Sequence, residues 1–146
     1  MRVSVKRIDP SLPLPQYESS GAACFDLYSR LTLSIPPKSL ARIPSNLIIS
    51  TPPGYGLHIF ARSSLAKKKS LILSNGVGVI DSDYCGENDE ILIAVYNFSE
   101  SKTVIKKGER IAQASILKVP KIIFEEVEHV HQKNRGGFGS TGGMTK

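Results

Sequence analysis

Cysteine is scarce. The chain of 146 residues has two, Cys24 and Cys85. Two thiols do not make a disulfide framework, so both are read as free thiols in a reducing compartment. No apolar run is long enough to cross a membrane as a helix. The start, MRVSVKRIDP, lacks the apolar h-region of a secretory signal. The expectation is a cytoplasmic chain with no membrane partner. Metal-ligand clusters are missing too: His129 and His131 form an HVH pair, but no third and fourth ligand accompanies them. Exposed edge histidines are the reading. There is no zinc-finger spacing, and no basic run is interleaved with aromatics. Both absences argue against a duplex-binding module, and no nucleic-acid partner is expected. Finally, no window of helical length carries a 3.6-residue apolar stripe, and no internal repeat is visible.

What is present is a pattern of short strands cut by turn residues. VSVKRI and LTLSI alternate, the latter ending in Pro36-Pro37, and NLIIS ends in Pro52-Pro53-Gly54. YGLHIFA, GVGVI, EILIAVYNF, TVIKKG, IAQASILKV and IIFEEVEHV continue the pattern. β-branched and aromatic residues fill the runs, and Gly, Pro, Asn and Ser separate them. This predicts an all-β fold of the barrel or jelly-roll kind. The length suits one domain able to bury a core without staples. No linker is visible before about Val130, so residues 1–130 are read as the domain and 131–146 as a glycine-rich C-terminal arm. The one short helix candidate is SSLAKKKS, with Ser63 or Ser64 at its start.

The formal net charge is +6, concentrated in AKKKS and VIKKGER. Such a balance suits a polyanion, and a nucleotide polyphosphate suits it better than a duplex. A solvated basic face is the plainer reading.

Four internal segments carry groups that can do chemistry. In NGVGVIDSDYCG, Gly76 and Gly78 weaken a strand unless a backbone or ligand must come close. A hairpin with Asn75 and exposed main chain could read a planar base. Asp81 follows two apolar residues where strand becomes turn, a place from which a carboxylate can take a proton from water. The plainer reading is a turn-capping Asp, with Tyr84 as a rim residue. In FARSSLAKKK, Arg62, two hydroxyls and helix-start N–H groups together make an anion cradle, or merely an N-cap beside an exposed Arg. In SSGAACFDLYS, Asp26 points away from Phe25 and Leu27, toward a cation, a metal-bound water or Arg62. In KKGERIAQASI, Gln113 alternates with Ile111 and faces either a polar site or solvent.

The order of these segments is more telling than any one of them. AACFDL, ARSSLA, GVIDSDYCG, GERIAQ and RGGFGSTG match, in sequence, the five motifs of the trimeric dUTPases, and the chain resembles that family from about Ser20 to Gly142. The resemblance implies a distorted jelly-roll β-barrel, a homotrimer, and hydrolysis of dUTP to dUMP and pyrophosphate. It implies that Asp81 activates the attacking water and that Tyr84 stacks under the deoxyribose. Asn75 and the backbone of Gly78, Val79 and Ile80 would read uracil. Arg62, Ser63, Ser64 and Gln113 would contact phosphates. Phe138 of the arm would cover the base, with Gly139, Ser140, Thr141 and Arg135 on the phosphates. Mg²⁺ would ride on the triphosphate without a direct protein ligand, Asp26 acting through Arg62 or a metal-bound water.

The sequence departs from the family pattern in five places. Cys24 replaces a usual glycine, Ala61 a proline and Ser64 a glycine. GENDEI is longer than usual, which predicts a longer hairpin or a bulge beside the site. Arg135 stands closer to Phe138 than usual, and Lys133 holds the customary spacing, so either takes the γ-phosphate role, with Arg135 preferred. RSSLA also resembles the dCTP deaminases of the same fold, but Ala94 stands where those enzymes need a glutamate and Lys67 where they have arginine. Tyr84 and the GFGSTG arm favour dUTPase over a deaminase or a bifunctional enzyme. A non-catalytic regulatory or nucleic-acid-binding relative would be expected to lack Asp81 or the arm.

Overall fold

The computed structural model describes residues 1–130, 133, 134 and 136. Among them lie eleven strands and one short helix. In chain order the strands are β1 (Ser4–Arg7), β2 (Phe25–Tyr28), β3 (Leu33–Ile35), β4 (Leu40–Pro44), β5 (Leu47–Ser50) and β6 (Tyr55–Ala61). Helix α1 (Leu65–Lys69) follows. Then come β7 (Leu71–Leu73), β8 (Gly78–Ile80), β9 (Leu92–Asn97), β10 (Thr103–Ile105) and β11 (Arg110–Lys118).

Period-two patterning half-buries β7 and β9, whereas β2 and β5 each bury three consecutive residues. In β9, Ile93, Val95 and Asn97 point inward while Leu92, Ala94 and Tyr96 alternate outward. Leu27, Ile43, Leu57, Leu71, Val95, Ile105 and Ile111 are fully buried and form the core. Each such side chain contributes about 1.5–3 kcal/mol of burial. Asn97 is as deeply buried as they are. Its Nδ2 lies 2.8–3.2 Å from the carbonyls of Ile35, Pro36 and Ser101, so it staples the ends of β3 and β10 to β9.

All pairings are antiparallel, and the arrangement is jelly-roll-like. The ladders do not close into a barrel, contrary to the expectation of one. They form four separate sheets, in the orders β1-β5, β10-β3, β2-β11-β6-β8 and β4-β9-β7. Prolines help to stop the ladders: Pro36-Pro37 follow β3 and Pro52-Pro53 separate β5 from β6, and none of these can donate a main-chain hydrogen bond.

The run Ile122–Val130, expected as a strand, forms none. Pro120 precedes it, and no strand among the described residues pairs with it. Ile123 is 97% exposed and Phe124 89%, so its apolar residues are not covered by the chain's own core.

Candidate active site

The four-stranded sheet places the candidate residues. Asp26 on β2, Gln113 on β11 and Phe60 on β6 are direct cross-strand partners, so they share one face. Arg62, two residues beyond Phe60, falls on the same side. The sequence reading of Asp26 against Arg62 is realised: Arg62 Nε lies 2.9 Å from Asp26 Oδ1. Arg110 Nη1 approaches Asp26 Oδ2 at 3.1 Å and Glu18 Oε1 at 2.9 Å. A register shift between Arg110 and Ala112, a bulge in β11, accompanies this placement of Arg110. Arg62 Nη1 also donates to the Arg110 carbonyl at 3.3 Å, and Gln113 Nε2 to the Ala61 carbonyl at 3.0 Å. Asp26 is buried, and both its oxygens are held by guanidinium groups. The Glu18 carboxylate, and Asp26 after it, push the Arg110 guanidinium above its ordinary pKa, so it stays a fixed positive charge.

A cleft of about 200 Å³ opens beside this network, lined by Arg62, Ser64, Leu65, Lys68, Lys69, Glu109 and Arg110. Ser64 occupies the N-cap position of α1, but its side chain makes no capping bond. The expected contribution from the helix start is small, because α1 has five residues and little macrodipole to offer. Positive charge here comes from side chains. Lys69 pairs with Glu109 at 2.6 Å and donates to the Val104 carbonyl at 3.1 Å, fastening α1 to the β10–β11 turn. Burial pushes the Glu109 carboxyl up, but the Lys69 ammonium, the Lys106 N–H and the charges of both lysines outweigh it. Its pKa lies below the ordinary 4.5. Ser63 is exposed in the same turn.

Asp81 is elsewhere. Strand β8 pairs with β6 so that Leu57 faces Ile80 and Ile59 faces Gly78. Asp81 therefore emerges beside Gly56, and a cleft of about 330 Å³ joins it to Gly54, Tyr55, Gly56, Val79, Val119 and Lys121. Between Gly56 and Arg62 the strand climbs about 20 Å at ~3.3 Å per residue. The two candidate centres thus sit at opposite ends of β6. Tyr84 N–H donates to the Asp81 carbonyl at 3.2 Å, closing the turn that presents both side chains. The Tyr84 hydroxyl donates to the Glu90 carbonyl at 3.4 Å, and its ring is 40% exposed.

Strand β8 ends its sheet, so one row of its main-chain groups has no strand partner among the described residues. Val79 on it is exposed and Ile80 half-buried. Gly78 is needed for packing: a Cβ there would come within 3.0 Å of Ile59 Cβ. Gly76 takes the left-handed backbone of the preceding turn, at φ 69°. Asn75 is exposed in that turn and borders a third depression with Leu40, Ala41, Arg42, Ser74 and Ala94. Arg135, Phe138, Gly139, Ser140 and Thr141, like His131, lie outside the described residues. Lys133 is described and exposed.

Sequence reasoning named Asp26, Arg62 and Gln113, which the structure brings together, but did not name Arg110 beside them, although GERIAQ contains it. The signal was available: Arg110 opens the strand that carries Gln113, which itself pairs with Asp26. Glu18, Arg30 and Glu90 gave no local signal, because their partners lie far along the chain.

The family model described as dUTPase matches residues 11–142. A deoxyuridine 5'-triphosphate nucleotidohydrolase of Dictyoglomus turgidum is 43% identical over 148 residues, covering 97% of this chain and 99% of that protein. A protein of the same name from Desulfitobacterium hafniense is 45% identical over 147 residues, covering 97% and 95%. Among solved structures, a dUTPase from Streptococcus mutans superposes with a TM-score of 0.76 at 29% identity, covering 82% of this chain and 98% of that one. A Staphylococcus bacteriophage 80alpha dUTPase solved with dUpNHpp gives 0.86 at 24% identity, covering 97% and 98%, a likeness of fold.

Proposed function

The chain belongs to the dUTPase family, and from that premise we propose that it hydrolyses dUTP to dUMP and pyrophosphate at a site completed by more than one copy of itself. Full-length likeness to two curated deoxyuridine 5'-triphosphate nucleotidohydrolases is the observation that carries the reaction. The strand register supports the shared site. Asp81 and Arg62 stand about 20 Å apart on one chain, and a triphosphate is too short to touch both. A homotrimer resolves this by setting the Asp81 end of one copy against the Arg62 end of another. The uncovered apolar run Ile122, Ile123, Phe124, Val127 and Val130 supports assembly as well, since it needs a surface that its own chain does not provide.

In this reading Arg62, Ser64 and Gln113 receive the phosphate chain, with Ser63 beside them. The cleft that Arg62 and Ser64 border with Lys68, Lys69 and Arg110 is positive before substrate arrives, so little reorganisation is needed as charge shifts in the transition state. Asp81 accepts a proton from a water aimed in line at the α-phosphorus. The new P–O bond forms as the bond to the pyrophosphate oxygen breaks, and pyrophosphate leaves. Tyr84 lies beneath the deoxyribose, where a 2′-hydroxyl finds no room. The free edge of β8 at Gly78, Val79 and Ile80 pairs with the uracil edge, assisted by Asn75. A mismatched base then leaves buried polar groups unpaired. The arm, through Phe138, Gly139, Ser140, Thr141 and Arg135, closes a site on another copy.

The donor set fits Mg²⁺ that arrives on the triphosphate clothed in water. Both Asp26 oxygens are held by arginines, and the described residues contain no cluster of three or more His, Cys, Asp or Glu suited to a metal. When bound, the ion would neutralise phosphate charge.

The test is product analysis with dUTP, dCTP, dTTP and UTP in Mg²⁺. Pyrophosphate released from dUTP alone is expected. Ammonia from dCTP, or no turnover of dUTP, would overturn the reading.

A further inference from the structure

The loop between β8 and β9 runs from Asp81 to Ile91 and contains the long GENDEI segment. No strand forms in it, yet it is tied down repeatedly. Gly86 N–H donates to Asp89 Oδ2 at 2.7 Å, and Lys6 pairs with Glu87. The strongest tie is Glu90. Arg30 holds its carboxylate with both ends of the guanidinium fork, Nε to Oε1 at 2.9 Å and Nη2 to Oε2 at 2.8 Å. The Asn46 N–H donates to the same Oε1 at 2.8 Å. Asn46 is itself buried in a left-handed turn, φ 73°, and exchanges two hydrogen bonds with the Asp9 main chain. The Glu90 side chain is only 12% exposed. Hydrogen bonding to Glu90 raises the Arg30 pKa above its ordinary value, as a tight charge pair should.

This clamp fixes the Glu90 main chain, whose carbonyl accepts the Tyr84 hydroxyl at 3.4 Å. The other end of Tyr84 is fixed by its N–H to Asp81. The aromatic ring is therefore tethered at both ends, and the distal tether leads through Glu90 to Arg30 and Asn46.

We propose that Glu90, clamped by Arg30 and the Asn46 N–H, is a positioning residue that holds the Tyr84 ring in place and thereby sets discrimination between deoxyribose and ribose. The inference rests on the reading of Tyr84 as the floor under the sugar. Excluding a hydroxyl by contact requires the ring to hold its position to within about 0.5 Å. A ring anchored only at its backbone can retreat and admit the 2′-oxygen. Losing the clamp therefore acts on UTP selectively, whereas a merely structural role would lower the active fraction for both nucleotides equally.

The experiment compares kcat/KM for dUTP and UTP in wild type, Glu90→Gln, Arg30→Lys, Tyr84→Ala and the Glu90→Gln/Tyr84→Ala double variant. The UTP:dUTP ratio is expected to rise about tenfold in Glu90→Gln and to rise in the same direction in Arg30→Lys, which serves if Glu90→Gln does not fold. Tyr84→Ala should raise the ratio further, and Glu90→Gln should add nothing on that background. If Tyr84→Ala raises the ratio while the Glu90 and Arg30 variants leave it at wild type, the positioning role is overturned and the Tyr84 reading stands. A wild-type ratio in Tyr84→Ala overturns both.

Discussion

The two ends of β6 are built on different plans. Beyond Ala61, Arg62 enters a network in which Asp26, Arg110, Glu18 and Gln113 are already paired within one chain. Beside Gly56, Asp81 projects from a turn into an open cleft bordered by Tyr55, Val119 and Lys121, and no protein cation reaches its carboxylate within salt-bridge distance among the described residues. One end is organised before anything binds. The other offers a reactive group and leaves its surroundings to be supplied. In the proposed reading the contrast has a use: the arginines are already paired with Asp26 and Glu18, while the proton acceptor stands a strand's length away until assembly brings the two ends together.

The largest effect expected from breaking this arrangement comes at the open end. Asp81→Asn should lower turnover on the order of 10³-fold while dUTP still binds, as read by single-turnover kinetics and calorimetry. Wild-type rates in that variant would remove Asp81 from the mechanism. Next, mixing Asp81→Asn with Arg62→Ala protein under conditions of subunit exchange should restore about a quarter of wild-type sites, because an intact site can draw its two halves from different copies. A mixture as inactive as its parts places both ends in one chain's site. At the organised end, Arg110→Ala should unfasten Asp26 and Arg62 and raise KM for dUTP roughly tenfold, about 1.4 kcal/mol, with a smaller change in kcat. A pure kcat loss would mean that Arg110 acts on the transition state instead.

The smallest expected effect is on stability under acid. Glu109, in the organised end, and Asp9, held chiefly by Lys107, both have folded pKa values below their ordinary 4.5 and 3.8. Groups depressed on folding contribute stability that is present above the ordinary values and lost as pH falls toward the folded ones. Thermal midpoints should thus hold steady above about pH 5 and decline below about pH 4.5. Midpoints that stay level through that range would show that these carboxyls contribute nothing.

Local pattern made much of the fold legible. Strands β1–β3, β5, β6 and β8–β11 are legible from local pattern and turn residues, and β4 and β7 are not. Parity gives Asp26 a face on which Arg62 is one of several possible partners. Four further features escaped local pattern. Closure is a property of how ladders end against one another, and no local window contains it. The run at Ile122–Val130 is rich in strand-forming residues but pairs with no strand among the described residues, so composition alone overstated it. Glu90 reads as one more acid in GENDEI; only the fold brings Arg30 and the Asn46 N–H around it. Asn97 likewise looks like an ordinary strand residue until its five polar neighbours are seen.

Strand β6 also bears on how the chain tolerates change in length. Removing two residues from β6 and its partners would keep the remaining side chains on their proper faces, with loss of a buried side chain such as Leu57 or Ile59. It would draw the Asp81 end about 7 Å closer to Arg62. In the proposed reading, such a change would also misalign water against phosphorus, making the residue count of β6 a determinant of rate as well as of packing.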